Sequence, residues 1–211
     1  MHRVGTITIG QSPRPDITVD LAGLLPSATE ILERGLLDGL SAREIEALAP
    51  SGSDFPLVTR LREGGSVVVA KEKLLPLLEG SIRALEKPSE AILLLCSGQF
   101  PEMPSQVPLL YPSRLLEHFV RALAPRAASV LVPHPGQVAP ASGHWGRIVG
   151  EVEAIVANPY SWECPALPSR LTIMDCLGYS LAMKEEVRRK SGGRAVLVRS
   201  VAAAALRELL S

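Results

Sequence analysis

Short apolar runs alternate along this chain with segments whose apolar positions recur every three or four residues. Arg3 to Ile9 is rich in apolar and β-branched residues, closes at Gly10 and predicts a first strand. The turn GQSPRPD follows, with Asp16 or a neighbour placed to cap a helix over Ile17 to Leu24. Ser27 to Arg34 reads as a short helix ending near Gly35. Leu40 to Leu48 reads as a second, with Ser41 and Glu44 spaced as a capping box and Pro50-Ser51-Gly52 as the stop. Leu57 to Leu61 and Ser66 to Ala70 flank a Gly-containing loop and predict a hairpin. From Lys71 to Glu86, Leu74, Leu75, Leu78, Ile82 and Leu85 mark one face of a long amphipathic helix. Ala91 to Cys96 (AILLLC) is the continuous apolar run of a parallel strand covered on both faces.

The second half repeats the rhythm. Leu109-Leu110-Tyr111 leads to a helix over Ser113 to Leu123, and Ala128 to Val132 is a strand closed by the loop PHPGQ. A helix start is expected within Gly143 to Glu151, then a strand over Val152 to Asn158, the loop PYSWECPALPSR, and a strand over Leu171 to Cys176. A helix over Tyr179 to Lys190, a strand over Ala195 to Arg199 and a helix over Val201 to Leu210 complete the chain. Strands alternating with helices imply βαβ units and parallel sheets, hence an α/β fold. No strict repeat is visible, but the halves echo each other: LLLCSG and IMDCLG each end an apolar strand in Cys-x-Gly. The expected division is a first lobe over 1–107, a second over 108–190, and a strand and helix over 191–211 returning to the first.

The 22 basic residues equal the 22 acidic ones, so the one-sided basic excess of a nucleic-acid binder is not expected, although a local anion pocket is compatible with neutrality. The opening residues run straight into a strand and lack a long apolar stretch, and no apolar run approaches the roughly 20 residues of a membrane span. A cytoplasmic protein is therefore expected. The three cysteines, Cys96, Cys164 and Cys176, are odd in number and irregular in spacing, which argues for free thiols over a disulfide framework. No CxxC or HxxxH pair suggests a metal site.

Ligands of open α/β sheets sit beyond the carboxyl ends of the strands. Four such ends carry chemistry: GQSPR (10–14), CSGQ (96–99), PHPGQ (133–137) and CLGY (176–179). Cys96 and Cys176, each expected beside a helix N-terminus that would favour its thiolate, are candidates for an opposed acid and base on one substrate carbon. The competing reading of each is a small buried apolar residue. Gln11, Ser12 and Arg14 suit an anion cradle, or else an ordinary β-to-α turn with a surface arginine. Arg60 is either a second anion contact or a solvated edge charge. Ser97, Gly98 and Gly178 offer hydroxyl or backbone donors. His134 is an acid/base candidate or part of a plain turn, and Tyr179 a hydroxyl donor or a packing residue. Asp175 is expected to cap the following helix, His144 and Trp145 to be structural, and Cys164 to be a bystander.

Five segments, TIGQSPRPD (8–16), LLDGLS (36–41), LVTRLREG (57–64), AILLLCSGQFP (91–101) and DCLGY (175–179), together resemble the AroM family over nearly the whole chain. That family groups with the aspartate/glutamate racemase-like superfamily. The resemblance implies two pseudo-symmetric α/β lobes, each with a mainly parallel sheet flanked by helices, and a ligand cleft between them. It also implies chemistry without pyridoxal phosphate or metal, with Cys96 and Cys176 in the positions of the two strand-end cysteines. Glutamate racemases follow these cysteines with Asn-Thr and Thr-His, where this chain has Ser97-Gly98 and Leu177-Gly178. Gln11-Ser12 stands where those enzymes carry an acidic Asp-Ser pair, and Ser12 and Arg14 are expected to replace that pair by binding a carboxylate.

The expected function is therefore a cofactor-independent isomerase or racemase acting on a small carboxylate, with a decarboxylase or lyase as a close variant. A non-enzymatic carboxylate binder or sensor, and a plain interaction protein, are the alternatives. A small molecule is the expected partner, with no nucleic acid and no membrane, and a homodimer is left open.

Overall fold

The computed structural model describes all 211 residues. Its elements in chain order are β1 (His2–Thr8), α1 (Pro15–Leu24), β2 (Thr29–Gly35), α2 (Ala42–Ala47), β3 (Pro56–Arg60), β4 (Ser66–Ala70), α3 (Lys71–Glu86), β5 (Ala91–Leu94) and β6 (Leu109–Leu110). There follow α4 (Pro112–Leu123), β7 (Ala127–Val132), α5 (Val138–Val149), β8 (Glu151–Val156), β9 (Leu171–Met174), α6 (Leu181–Ser191), β10 (Arg194–Leu197) and α7 (Val198–Leu209). Two four-stranded sheets form, ordered β2-β1-β5-β6 and β10-β9-β7-β8, and every pairing within them is parallel. Read from the edge strand inward, each sheet runs second, first, third, fourth in its own chain order. This shared order is the pseudo-symmetry of the two lobes. The strand before each Cys-x-Gly segment, β5 or β9, is the third of its sheet.

The apolar strands sort their side chains by the two-residue period of a strand. In β5 and the two residues after it, Ala91, Leu93 and Leu95 join a core shared by both sheets, while Ile92, Leu94 and Cys96 face the other way. In β7, Ala128, Val130 and Val132 join that shared core, and Leu131 faces out toward Met174 and Val187. Helices α1, α4, α5 and α7 supply Leu21, Leu116, Trp145 and Leu206 to the same central core. The two lobes thus share one apolar interior, with α3 covering the outer face of the first sheet and α6 that of the second.

Several expectations are corrected. The segment read as a helix from Ser27 is strand β2, which pairs with β1 over seven residues from His2↔Thr29 to Thr8↔Gly35. Asp16 does not cap α1: the N-cap is Arg14, without a side-chain cap bond. The helix expected from Gly143 begins at Val138, because Pro140 lies within the first turn, where a helix has no use for the N–H that proline lacks. Leu109–Leu110 pairs with β5, so the first sheet extends past the boundary expected at residue 107. β10 pairs with β9 and stays in the second sheet rather than returning to the first. The hairpin β3–β4 and the Ser41–Glu44 capping box form as read. No helix is long and apolar enough to cross a membrane.

Candidate active site

The carboxyl ends of both sheets open onto one cleft of about 270 Å³. Cys96 and Cys176 both line it, with Ser97 and Gly98 from the first sheet and Asp175 and Gly178 from the second. The two cysteine segments have the same local build. The Gly98 N–H donates to Cys96 Sγ at 3.3 Å, and the Gly178 N–H donates to Cys176 Sγ at 3.4 Å. Space favours glycine at both places, and more strictly at the second. A Cβ on Gly98 would meet Leu57 Cδ2 at 3.1 Å, and one on Gly178 would meet Pro159 Cγ at 2.8 Å. The segments are also joined, since Ser97 Oγ donates to the Asp175 carbonyl at 2.9 Å. The main-chain N–H groups of Ser97 and Leu177 have no acceptor within the protein.

Neither cysteine sits at a helix N-terminus, contrary to expectation. α6 begins at Leu181, and no helix follows Cys96 before α4. Without that dipole, burial dominates. It pushes the Cys96 thiol up to about 12, with the Gly98 N–H opposing and the nearby Cys176 and Asp175 charges adding to the rise. It pushes Cys176 up to about 11 against the Gly178 N–H. Raised this far by burial, both thiols favour the neutral form at physiological pH.

Asp175 lines the cleft instead of capping α6, whose N-cap is Ser180. Its Oδ2 accepts from Trp145 Nε1 at 2.9 Å, and its buried Oδ1 has no partner. Burial raises this carboxyl to about 6, against the Trp145 hydrogen bond. Arg14 is 3% exposed and forks onto Asp16, Nε to Oδ1 at 2.8 Å and Nη2 to Oδ2 at 2.7 Å. It also donates to Thr8 Oγ1 and to the Tyr160 hydroxyl, each at 3.0 Å. Burial works against its charge, but Asp16 and Tyr160 outweigh that and raise its pKa. Its positive charge favours the thiolate of both cysteines.

Arg14, Cys96, Ser97, Gly98, Cys176 and Gly178 are thus brought together around the cleft, and five other candidates are not among its lining. Ser12 is held by Asp38, its N–H at 2.9 Å from Oδ1 and its Oγ at 2.5 Å from Oδ2. Gln11 accepts from the Arg62 N–H at 2.9 Å, so the GQSPR turn braces the hairpin rather than cradling an anion with its first residues. Arg60 lies over the Tyr160 ring, 5.6 Å from its centroid. His134 accepts from the Gly136 N–H and caps a short 3-10 turn. Tyr179 is fully buried and donates to the Ala157 carbonyl at 2.6 Å. Cys164 is buried in the outer core of the second sheet. Conversely, Tyr160, Asp175, His144 and Trp145 line the cleft. The cleft wall also carries Lys71 and Arg147, so it is cationic in a chain of zero net charge.

Two parallel sheets of matching strand order, flanked by helices and opening onto one cleft, give this chain an aspartate/glutamate racemase-like fold. Solved structures agree in architecture. Allantoin racemase from Klebsiella pneumoniae superposes with a TM-score of 0.62 at 13% identity, covering 100% of this chain and 88% of its own. Picrophilus torridus aspartate racemase gives 0.58 at 10% identity, covering 99% and 94%. Arylmalonate decarboxylase gives 0.60 at 14% identity, covering 99% and 92%. A comparison with curated proteins finds no match. Within this fold the chain belongs to the AroM family, whose model, described as AroM protein, matches residues 4–210.

Proposed function

We propose that this protein is a cofactor-independent isomerase or racemase that moves a proton at an acidic C–H of a small carboxylate, with Cys96 and Cys176 as the acid/base pair. The observation that carries the reading is the shared cleft. Two thiols, one from each lobe, line a cavity of small-molecule size, and each bears the same Cys-x-Gly turn that offers its sulfur an N–H donor. One thiolate takes the proton from carbon and the other thiol returns one to the opposite face. The free N–H groups of Ser97 and Leu177 and the cationic wall suit the carboxylate and the charge that builds on it as the C–H bond breaks. Arg14 contributes charge to the site while its fork is engaged by Asp16.

The raised thiols favour a second reading, a decarboxylase. There the bond to the carboxyl group breaks, its electron pair stays on carbon, and CO2 leaves. One neutral thiol then protonates the carbanion and is restored from solvent. The two chemistries differ in pH dependence. Proton abstraction needs a thiolate, so its rate climbs about tenfold per pH unit from 7 to 10. Protonation by a neutral thiol is flat over that range.

The test is incubation in D2O with a panel of amino acids, hydroxy acids, malonates and aromatic acids, read by NMR. Deuterium entering one carbon without loss of CO2, and lost in Cys96→Ala and Cys176→Ala, is the expected result. Carboxylate binding that survives both substitutions, with no exchange in any compound, would instead make the protein a binder or sensor.

A further inference from the structure

A second cavity of about 350 Å³ adjoins the cysteine cleft and shares Gln99, His144 and Arg147 with it. Its charge is one-sided. Arg114, Arg121 and Arg147 line it against one carboxylate, Glu117. Glu117 is committed: Arg121 Nη2 lies 2.9 Å from Oε1, and His144 Nε2 lies 3.4 Å from Oε2. Burial, with Arg147 and Arg121 adding to it, outweighs Glu117 and lowers the His144 pKa, so the imidazole is neutral at pH 7. Two guanidinium groups are left without close compensation. Arg147 is exposed and makes no ion pair. Arg114 reaches only the exposed Glu102, at 3.9 Å, and its guanidinium is held over the Tyr111 ring at 4.3 Å from the centroid. Ser113 adds a hydroxyl in the first turn of the twelve-residue helix α4, whose dipole also favours an anion.

The pocket is tied to the chemistry through one residue. Gln99, three positions after Cys96, makes a 2.8 Å hydrogen bond to His144 Nδ1, so its wall continues the Cys96 turn. We propose that this outer pocket holds a second anionic group of the ligand, a carboxylate or a phosphate, while the first carboxylate lies in the cysteine cleft. The substrate is then a dianion whose distal charge is read by Arg114 and Arg147. Guanidinium forks match both oxyanions, and Arg114 is already held flat by Tyr111. The proposal rests on the cysteine cleft being the ligand site. Its alternative is that these arginines are merely a solvated face of α4 and α5.

Calorimetric titration at constant ionic strength separates the two. The probes are glutarate, butyrate and inorganic phosphate, used with the wild type, Arg114→Ala and Arg147→Ala. The expected result is glutarate binding about tenfold or more tighter than butyrate, the size of one charge-assisted hydrogen bond. That ratio falls toward one in both variants. Phosphate binding weakens in parallel if the pocket prefers phosphate, and is absent from the start if it is a carboxylate site. Equal affinity for glutarate and butyrate, or a preference that both variants keep, would overturn the subsite. Deuterium exchange is read separately. Exchange on monocarboxylates alone would remove the dianion and leave the thiol chemistry standing, while an arginine-dependent preference without exchange would do the reverse.

Discussion

Replacing Arg14 with methionine tests whether the site is built around a buried charge. The side chain is 3% exposed and makes four hydrogen bonds, two of them to Asp16, which is itself 27% exposed. Burial pushes the Asp16 carboxyl up, but the Arg14 guanidinium outweighs it and holds the group below its ordinary value. Arg14→Met fills similar volume yet strands that carboxylate. Breaking one partner of a buried pair costs about 3–5 kcal/mol, and the partial exposure of Asp16 places this case near 3. That is a large part of the roughly 5–15 kcal/mol that holds a domain folded. The sign with pH follows from the depressed carboxyl. Its contribution is full above the unfolded aspartate pKa near 4 and is lost as pH falls, so the cost is greatest at pH 7 and shrinks toward pH 3. Adding Asp16→Asn should recover part of the loss, making the pair less damaging than the sum of the singles. Urea unfolding followed by circular dichroism at both pH values measures all of this. A cost under about 1 kcal/mol at pH 7, or an equal cost at pH 3, would refute the reasoning.

Three further outcomes follow from the same geometry. Asp175 rises from 3.8 to about 6 on burial, so the folded state keeps its proton to higher pH than the unfolded chain does. Stability relative to Asp175→Asn should therefore fall by about 2 kcal/mol as pH rises from 4 to 7, and parallel urea profiles would contradict this. With Cys176 near 11, only about one thiol in a thousand is ionised at pH 8. Iodoacetamide should label it on the order of a hundredfold more slowly than free cysteine, with the rate still rising at pH 10. A plateau below pH 8, read by mass spectrometry, would show a lowered thiol instead. Gly10→Ala puts a Cβ onto the Arg60 carbonyl and the Thr59 hydroxyl, so the hairpin must move away from β1. A loss of about 2 kcal/mol or more is expected, and a thermal midpoint equal to wild type would contradict it.

What the sequence disclosed was the part that obeys strand physics. AILLLC and LTIMDC are apolar runs ending in a reactive group, and ligands sit beyond the carboxyl ends of parallel strands, so Cys96 and Cys176 were each legible as strand-end candidates, while their meeting depends on how the two sheets face one cleft. Arg14 was legible as a cation at a strand end, but its fork onto Asp16 was not, because a pairing two residues apart depends on how the turn closes. Ser12 and Gln11 looked free for a ligand, yet their partners Asp38 and Arg62 come from other loops. Tyr160 lies in a proline-containing loop with no period to announce it, and it reaches Arg14 only once the lobes meet. Trp145 and His144 read as loop residues because Pro140, Gly143 and Gly146 disguise α5; Trp145 is structural as expected, buried in the central core, but both residues also line the cleft. β2 failed for a different reason. TEILERG is an edge strand with mixed exposure, so only its pairing with β1 makes it β.

The central claim is that two thiols act on one carbon from opposite faces. It is tested most directly by following each enantiomer of an exchanging acid, by chiral chromatography, in wild type, Cys96→Ser and Cys176→Ser. Serine keeps the size of the side chain but has no accessible anion. The account predicts interconversion in both directions by wild type and none in either variant. Interconversion at the wild-type rate in either variant would contradict it.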